Sequence, residues 1–267
     1  MAIENARLHE IAVRQADMER EAHDARAVQL AIIPEKMPHL PGYEFWHFYE
    51  PARSVGGDYF DYRPIPKSGP PFAQPPDRWA IAIGDVSGKG MPAALLMARL
   101  SSEVRLLIQT ELDPARVVDQ LNRDLCASRT DERFITFLLV LLDGERHELK
   151  VVNAGHMGPM IRRSDGRIEV IGEEQSGPPL GIMEDQVYEA MITSINSGDV
   201  VLLYTDGVNE ALDDKGQLFG IELLKQTLAT APSEVEKVGE SILNAVRQHV
   251  AGRTQSDDIT LLCFGRT

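Results

Sequence analysis

The chain has 267 residues, enough to bury a full hydrophobic core, and length alone leaves one larger domain or two smaller ones open. Its 43% apolar and 25% charged residues are those of a folded soluble protein and exclude disordered, collagenous and membrane-spanning chains. Forty-one acidic against 27 basic side chains give a net charge of −14, which excludes a nucleic-acid partner held through its phosphates, because that needs a concentrated basic face.

The same charge opposes work on phosphorylated substrates unless bound cations neutralise some of the carboxylates. No stretch approaches the roughly 20 apolar residues of a membrane span. The N-terminal MAIENARLHE lacks the apolar core of a signal peptide, so no membrane contact and a cytoplasmic location are expected. The two cysteines, Cys126 and Cys263, stand in apolar surroundings without metal spacing and are expected as buried, reduced thiols.

Residues 1–33 contain no Gly or Pro and are rich in Ala, Glu, Arg and Gln, which predicts one long linker helix ending before Pro34. Ile11, Met18, Ala25 and Ile32 fall seven apart, but the companion row Leu8, Gln15, Ala22 and Gln29 is weak. A marginal coiled coil, hence a homodimer, and a single amphipathic helix both fit. From Tyr43 the pattern turns to short apolar runs bounded by turns, predicting strands at 43–50, 78–84, 134–142, 147–154, 158–163, 167–171, 187–195, 199–204 and 258–264. The proline-dense residues 64–77 predict a surface loop. Helical periodicity covers 91–110, 114–128, 220–230 and 233–250. Hairpins such as RRSDGRIEVI and the scarcity of strand–helix–strand alternation predict mainly antiparallel sheets with helices outside, in one globular domain over 34–267.

Acidic residues recur where strands meet tight turns: Asp58 in SVGGDYFDY, Asp85 in AIAIGDVSGKG, Asp206 in VLLYTDGVNE, and Asp257 with Asp258 in QSDDITLL. One such aspartate is most simply a turn former. Several in one antiparallel fold can converge, and converging carboxylates must bind a cation or take up protons. Oxygen donors without a His or Cys cluster favour Mg²⁺ or Mn²⁺ over zinc. Two such ions about 4 Å apart can lower the pKa of a shared water for in-line attack on phosphorus. The glycines of GDVSGKG lack the spacing of a phosphate-binding P-loop; Gly84, Gly88 and Gly90 are expected to let the strand turn sharply into the helix at Met91.

PARSVGGDYFDY (51–62), IGDVSGKGMPAALLM (83–97), VNAGHMGPM (152–160), SGPPLGI (176–182), LLYTDGVNEA (203–211) and SDDITLL (256–262) stand in an order that resembles the protein phosphatase 2C superfamily, specifically its bacterial SpoIIE/RsbU branch. The resemblance implies an α+β, four-layer αββα sandwich of two mainly antiparallel sheets flanked by helices, behind the linker helix. It implies a serine/threonine phosphatase acting on a STAS-type anti-sigma-factor antagonist, with two divalent cations, Mn²⁺ or Mg²⁺, and no covalent intermediate. Asp58 would bind one ion, Asp85 would bridge both, the Val86 carbonyl would add a ligand, and Asp206 and Asp257 would hold the other ion. Asp258 would support the site. Asp61 would act through a water or cap the turn, the supporting role being favoured. Arg53, five residues before Asp58, would grip the substrate phosphate in two places; an ordinary surface arginine is the alternative.

Two features depart from relatives. No histidine follows Asp85, where the sequence reads Val86-Ser87-Gly88-Lys89, so the acid that protonates the leaving oxygen is unassigned. His156 stands where many relatives have a metal-linked aspartate, and it either lines the site or is a structural histidine. The opening AIENARLHE also resembles the end of a GAF-type sensor running into a signalling linker. The competing readings are a pseudophosphatase that only docks a signalling partner and a phosphodiesterase acting on a small molecule.

Overall fold

The computed structural model describes residues 23–65, 76–128 and 133–267, together with Arg14, Arg20 and Glu21. The greater part of the helix expected over 1–33, with Ile11 and Met18 of its heptad row, and most of the expected 64–77 loop lie outside the described residues. Helix α1 (23–30) ends in a turn at 31–32, just before Pro34.

Ten strands follow: β1 (Tyr43–Glu50), β2 (Tyr59–Pro64), β3 (Arg78–Val86), β4 (Ile135–Asp143), β5 (Glu148–Ala154), β6 (Met160–Arg162), β7 (Ile168–Val170), β8 (Ala190–Ser194), β9 (Val200–Tyr204) and β10 (Ile259–Arg266). They form two five-stranded sheets of order β1-β10-β9-β6-β7 and β2-β3-β4-β5-β8, with every paired strand antiparallel. Helices α2 (Met91–Thr110) and α3 (Pro114–Ala127) cover the second sheet, α5 (Gly220–Thr230) and α6 (Val235–Val250) the first, and the single turn α4 (Asp206–Asn209) follows β9. The expected α+β sandwich of helix, sheet, sheet and helix is observed.

Strand side chains alternate between faces, so each inner strand is apolar on both sides for two different reasons. In β10, Leu262 and Phe264 point into the space between the sheets, whereas Leu261 and Cys263 face α6. In β1, Phe45 meets Tyr62 across the sandwich and stacks on its neighbour Phe264 within its own sheet, while Trp46 packs outward against α6. A Cβ at Gly239 of α6 would stand 2.1 Å from the Trp46 ring, so this glycine is what lets the helix lie close to the sheet. Cys263 is buried as expected, whereas Cys126 on α3 is only half-buried.

Strand β2 and the turn α4 were not foreseen. β2 reads YFDYRP, with an aspartate in its middle and a proline at its end, so it shows neither clean alternation nor an apolar run. The structure supplies the reason: Asp61 is buried, with arginines from two elements around it. Among the described residues no helix is long and apolar enough to cross a membrane.

Candidate active site

The rows of side chains between the two sheets are apolar through the middle and polar at one end. Register makes this explicit. Tyr62 and Phe60 pair with Ile81 and Ile83, and continuing two residues along each strand brings Asp58 and Asp85 to the same end of the same face. Asp85 in turn pairs with Thr136 of β4. On the opposite sheet the inner rows Val201–Leu203 and Phe264–Leu262 run on to Thr205 and Thr260. The core therefore ends in two carboxylates and three threonines, and the loops carrying Asp206, Asp257 and Asp258 close over the same end.

Asp58 is 1% exposed, and its Oδ2 accepts hydrogen bonds from the hydroxyls of Thr205 at 2.7 Å and Thr260 at 2.6 Å. The Thr205 oxygen also accepts the Thr260 N–H at 3.0 Å, which locks the two strand ends together. Asp258 ties down the loop before Asp58: its carboxylate accepts the N–H groups of Ala52 at 2.8 Å, Gly57 at 2.6 Å and, more weakly, Asp58 at 3.4 Å. It is packed so tightly that a Cβ at Gly207 would stand 1.9 Å from its carbonyl oxygen, and one at Gly56 would stand 2.4 Å from its Oδ2. A Cβ at Gly57 would meet the Val86 carbonyl oxygen at 3.0 Å and Asp85 Oδ1 at 3.4 Å, so the strand end of β3 lies directly under this loop.

These acids disturb one another. Burial, followed by the charges of Asp85 and Asp258, holds Asp58 well above the usual carboxylate range, although the two threonine hydroxyls pull it back. Burial, then Asp206, Asp257 and Asp258, push Asp85 up to about 7, against the lowering effect of its hydrogen bond with Asp58. Burial and Asp257, with Glu210 beyond, push Asp206 up to about 6, against the pull of the Gly207 N–H and Lys89. A cleft in which carboxylates raise each other is relieved by protons or by cations.

Among the described residues no three Asp, Glu, His or Cys side chains are already gathered into a closed metal cage. The donors instead lie near enough to act on one another's charge: Asp58 on Asp85 through a hydrogen bond, and Asp206 and Asp257 on Asp85 through their charges. An oxygen-only set with open positions fits hard cations that keep part of their water, so Asp58, Asp85, Asp206, Asp257 and the Val86 carbonyl could hold Mg²⁺ or Mn²⁺.

The other anticipated residues divide. Arg53 is exposed on the loop that Asp258 anchors, next to Ala52. Asp61 has the opposite strand parity from Asp58 and points away from the cleft. Its Oδ2 accepts from Arg63 at 2.9 Å and Arg105 of α2 at 2.8 Å, and its Oδ1 accepts the Tyr62 N–H. It is not brought to the other aspartates.

His156 Nε2 donates to the Tyr204 carbonyl at 3.1 Å, which leaves Nδ1 to accept the Thr136 hydroxyl at 2.9 Å. Burial takes its pKa down to about 4. Neutral and with both ring nitrogens engaged, it joins the two sheets behind the cleft.

Several residues escaped the sequence reading. Thr205 and Thr260 flank the motif aspartates but look like ordinary strand-end threonines. Glu210 carries only its place in TDGVNE. Lys89 carries only its place in GDVSGKG, and Gln29 only its place in the weak heptad row. Gly88 and Gly90 have φ of +91° and +80°, as a sharp turn requires, but Gly84 serves differently: a Cβ there would stand 2.7 Å from the Thr136 carbonyl oxygen.

A family model described as Stage II sporulation protein E (SpoIIE) matches residues 75–267. The chain belongs to the SpoIIE family. Asp85, Asp206, Asp257 and Asp258 lie within the matched stretch, and Asp58 and Arg53 precede it. "Phosphoserine phosphatase RsbU" of Bacillus subtilis is 27% identical over 256 residues, covering 94% of this chain and 72% of RsbU. Protein IcfG of Synechocystis sp. is 26% identical over 92% of this chain. The SpoIIE-family chain spans 41% of IcfG, so it corresponds to part of that longer protein. Among solved structures, the PP2C domain of SiaA from Pseudomonas aeruginosa superposes with a TM-score of 0.78 at 23% identity, covering 96% of this chain and 99% of that domain, and it shows the shared fold.

A pH dependence follows from the raised acids. A proton on Asp85 or Asp206 competes with a cation in the folded protein, and these protons leave as pH rises through about 6 to about 7. The melting-temperature gain from a fixed Mn²⁺ concentration should therefore be small at pH 5 and grow up to pH 7.5. A gain independent of pH across that range would show that these carboxylates are not the cation's ligands.

Proposed function

We propose that this SpoIIE-family chain carries a metal-dependent protein serine/threonine phosphatase, which hydrolyses phosphoserine or phosphothreonine on a regulatory protein of the STAS-type anti-sigma-factor antagonist class. The observation that carries the reading is the gathering of Asp58, Asp85, Asp206 and Asp257 at one end of the sandwich, where burial and mutual repulsion raise three of them. The likeness to a relative named as a phosphoserine phosphatase, over nearly the whole chain, supports the substrate class.

In this reading Asp85 would serve both cations, Asp58 and the Val86 carbonyl would serve the site from the β2–β3 side, and Asp206 and Asp257 would hold the second ion. Bound there, the divalent cations supply Lewis acidity that lowers the pKa of water and offsets charge on the phosphoryl oxygens. The chain's own groups do the positioning. Thr205 and Thr260 fix Asp58 Oδ2, so that Oδ1 would be the oxygen offered to a cation. Asp258 holds the backbone from Ala52 to Asp58, and with it the base of Arg53. The Arg53 guanidinium, exposed on this loop, can donate to a phosphate at two points and add positive charge to that of Lys89 in a −14 protein.

Asp85→Ala should abolish Mn²⁺-dependent phosphate release from a phosphoserine protein while circular dichroism remains that of the folded chain. Arg53→Ala should lower kcat/KM about 10- to 100-fold, the scale of a charge-assisted contact worth about 1.5–3 kcal/mol. Wild-type turnover by Asp85→Ala, or absence of phosphate release by the wild type at any metal concentration, would reduce the protein to a binding module.

In this reading the chain divides into a signalling linker over 1–33, able to self-associate and to follow a sensor such as a GAF domain, and the phosphatase domain over 34–267. Contacts from the linker support control of the site. Gln29, 4% exposed on α1, donates its amide to the Gly56 carbonyl at 2.7 Å and accepts the Gly56 N–H at 3.0 Å, two residues before Asp58. Arg105 joins Asp61 to the Ile32 carbonyl. Gln29→Ala removes both hydrogen bonds to the loop and should weaken turnover and Mn²⁺ binding together, on the order of tenfold for two buried bonds of about 0.5–1.5 kcal/mol each. Unchanged values for both would make the linker a passive tether.

A further inference from the structure

A basic side chain touches the carboxylates of the cleft. Lys89, in the loop between β3 and α2, places Nζ 2.7 Å from Asp257 Oδ2 and donates to the Ser256 carbonyl at 2.6 Å. The other Asp257 oxygen, Oδ1, accepts the N–H of Asp258 at 3.0 Å. Lys89 also draws Asp206 down against the raising effects of Asp257 and Glu210, so its charge reaches both acids on this side of the cleft. The arginines near β2 do not compete for this role, because Arg63 and Arg105 are spent on Asp61, on the opposite face of the strand.

We propose that Lys89 is the tethered counter-cation of the metal-free site: its ammonium sits on Asp257 in place of a divalent cation and must withdraw for that cation to bind there. The proposal rests on the metal-site reading given above. Both Asp257 oxygens are already engaged, and the contact at Oδ1 is a backbone N–H that cannot leave without moving Asp258, whose own carboxylate anchors the 52–58 loop. The contact at Oδ2 is a compact charge on a four-carbon stem with 40% of its side chain exposed. When a dication approaches the same carboxylate, two positive charges repel, and the flexible one has water to move into. Lys89 would thus keep the acid loops assembled without metal and weaken the metal's hold on the Asp206–Asp257 side.

The test is direct titration of the full chain with Mn²⁺ alone, following free Mn²⁺ by electron paramagnetic resonance. Lys89→Met keeps the stem and removes the charge. It should tighten the weaker Mn²⁺ site about fivefold, the scale of a half-exposed ion pair, and the metal-free form should melt lower but gain more from saturating Mn²⁺ than the wild type. Lys89→Arg, which keeps the charge, should stay within about twofold of wild type. If Lys89→Met fails to give a folded chain by circular dichroism, Lys89→Gln takes its place with the same expectation. Unchanged or weaker Mn²⁺ binding in the neutral variant overturns the counter-cation role alone, because the wild type would still bind metal. A wild type that takes up no Mn²⁺ overturns this proposal together with the metal reading beneath it.

Discussion

The rest of the site depends on the repulsion among carboxylates that the two sheets bring to one end. Asp58 and Asp85 are not placed there by a flexible loop. They continue the same inward-facing rows that pack Phe60 against the opposite sheet and Ile81 against β4, so the register that builds the core also forces the two acids together. Neither can turn outward without shifting a whole strand by one residue. The strain is therefore fixed by the fold, and it can be relieved by protons, by Lys89 at one flank or by bound cations.

Around that strain the chain spends its backbone donors. Asp258 collects the N–H groups of the loop from Ala52 to Asp58, and the close approach this requires accounts for the glycines at 56 and 207 on steric grounds, with no unusual dihedral involved. Thr205 and Thr260 hold one oxygen of Asp58 and each other, joining β9 and β10 to β2 across the sandwich. His156 makes a similar join between β4 and the end of β9. Asp58 and Asp258 are thus held by neutral hydrogen-bonding groups, which fix position without cancelling charge. That leaves the negative potential of the cleft available to a cation.

Much of this was legible in the sequence. Runs such as RWAIAIG and DITLLCF show strands because their two faces are both apolar, and α2 and α3 end where helical periodicity stops. The strand-end aspartates could be listed from their turns, whereas a supporting place for Asp258 is implied only by the family resemblance. What stayed hidden was pairing over long separations. Nothing local in TDG or DDIT reveals that Thr205 and Thr260 meet Asp58, 147 and 202 residues away. Gln29 sits in a weak heptad row and gives no hint that it reaches Gly56. β2 was obscured by Asp61, whose charge breaks the apolar pattern and makes sense only once Arg105 of α2 lies beside it.

In the proposed function these aspartates act as one electrostatic unit for divalent cations, with Asp85 shared between two ions. The most direct measurement is the number of Mn²⁺ ions retained per chain in equilibrium dialysis at neutral pH, for the wild type and for the isosteric Asp85→Asn. Two ions are expected on the wild type and none on the variant, because a shared ligand would serve each. A wild type that retains none, or a variant that still retains two, would contradict it.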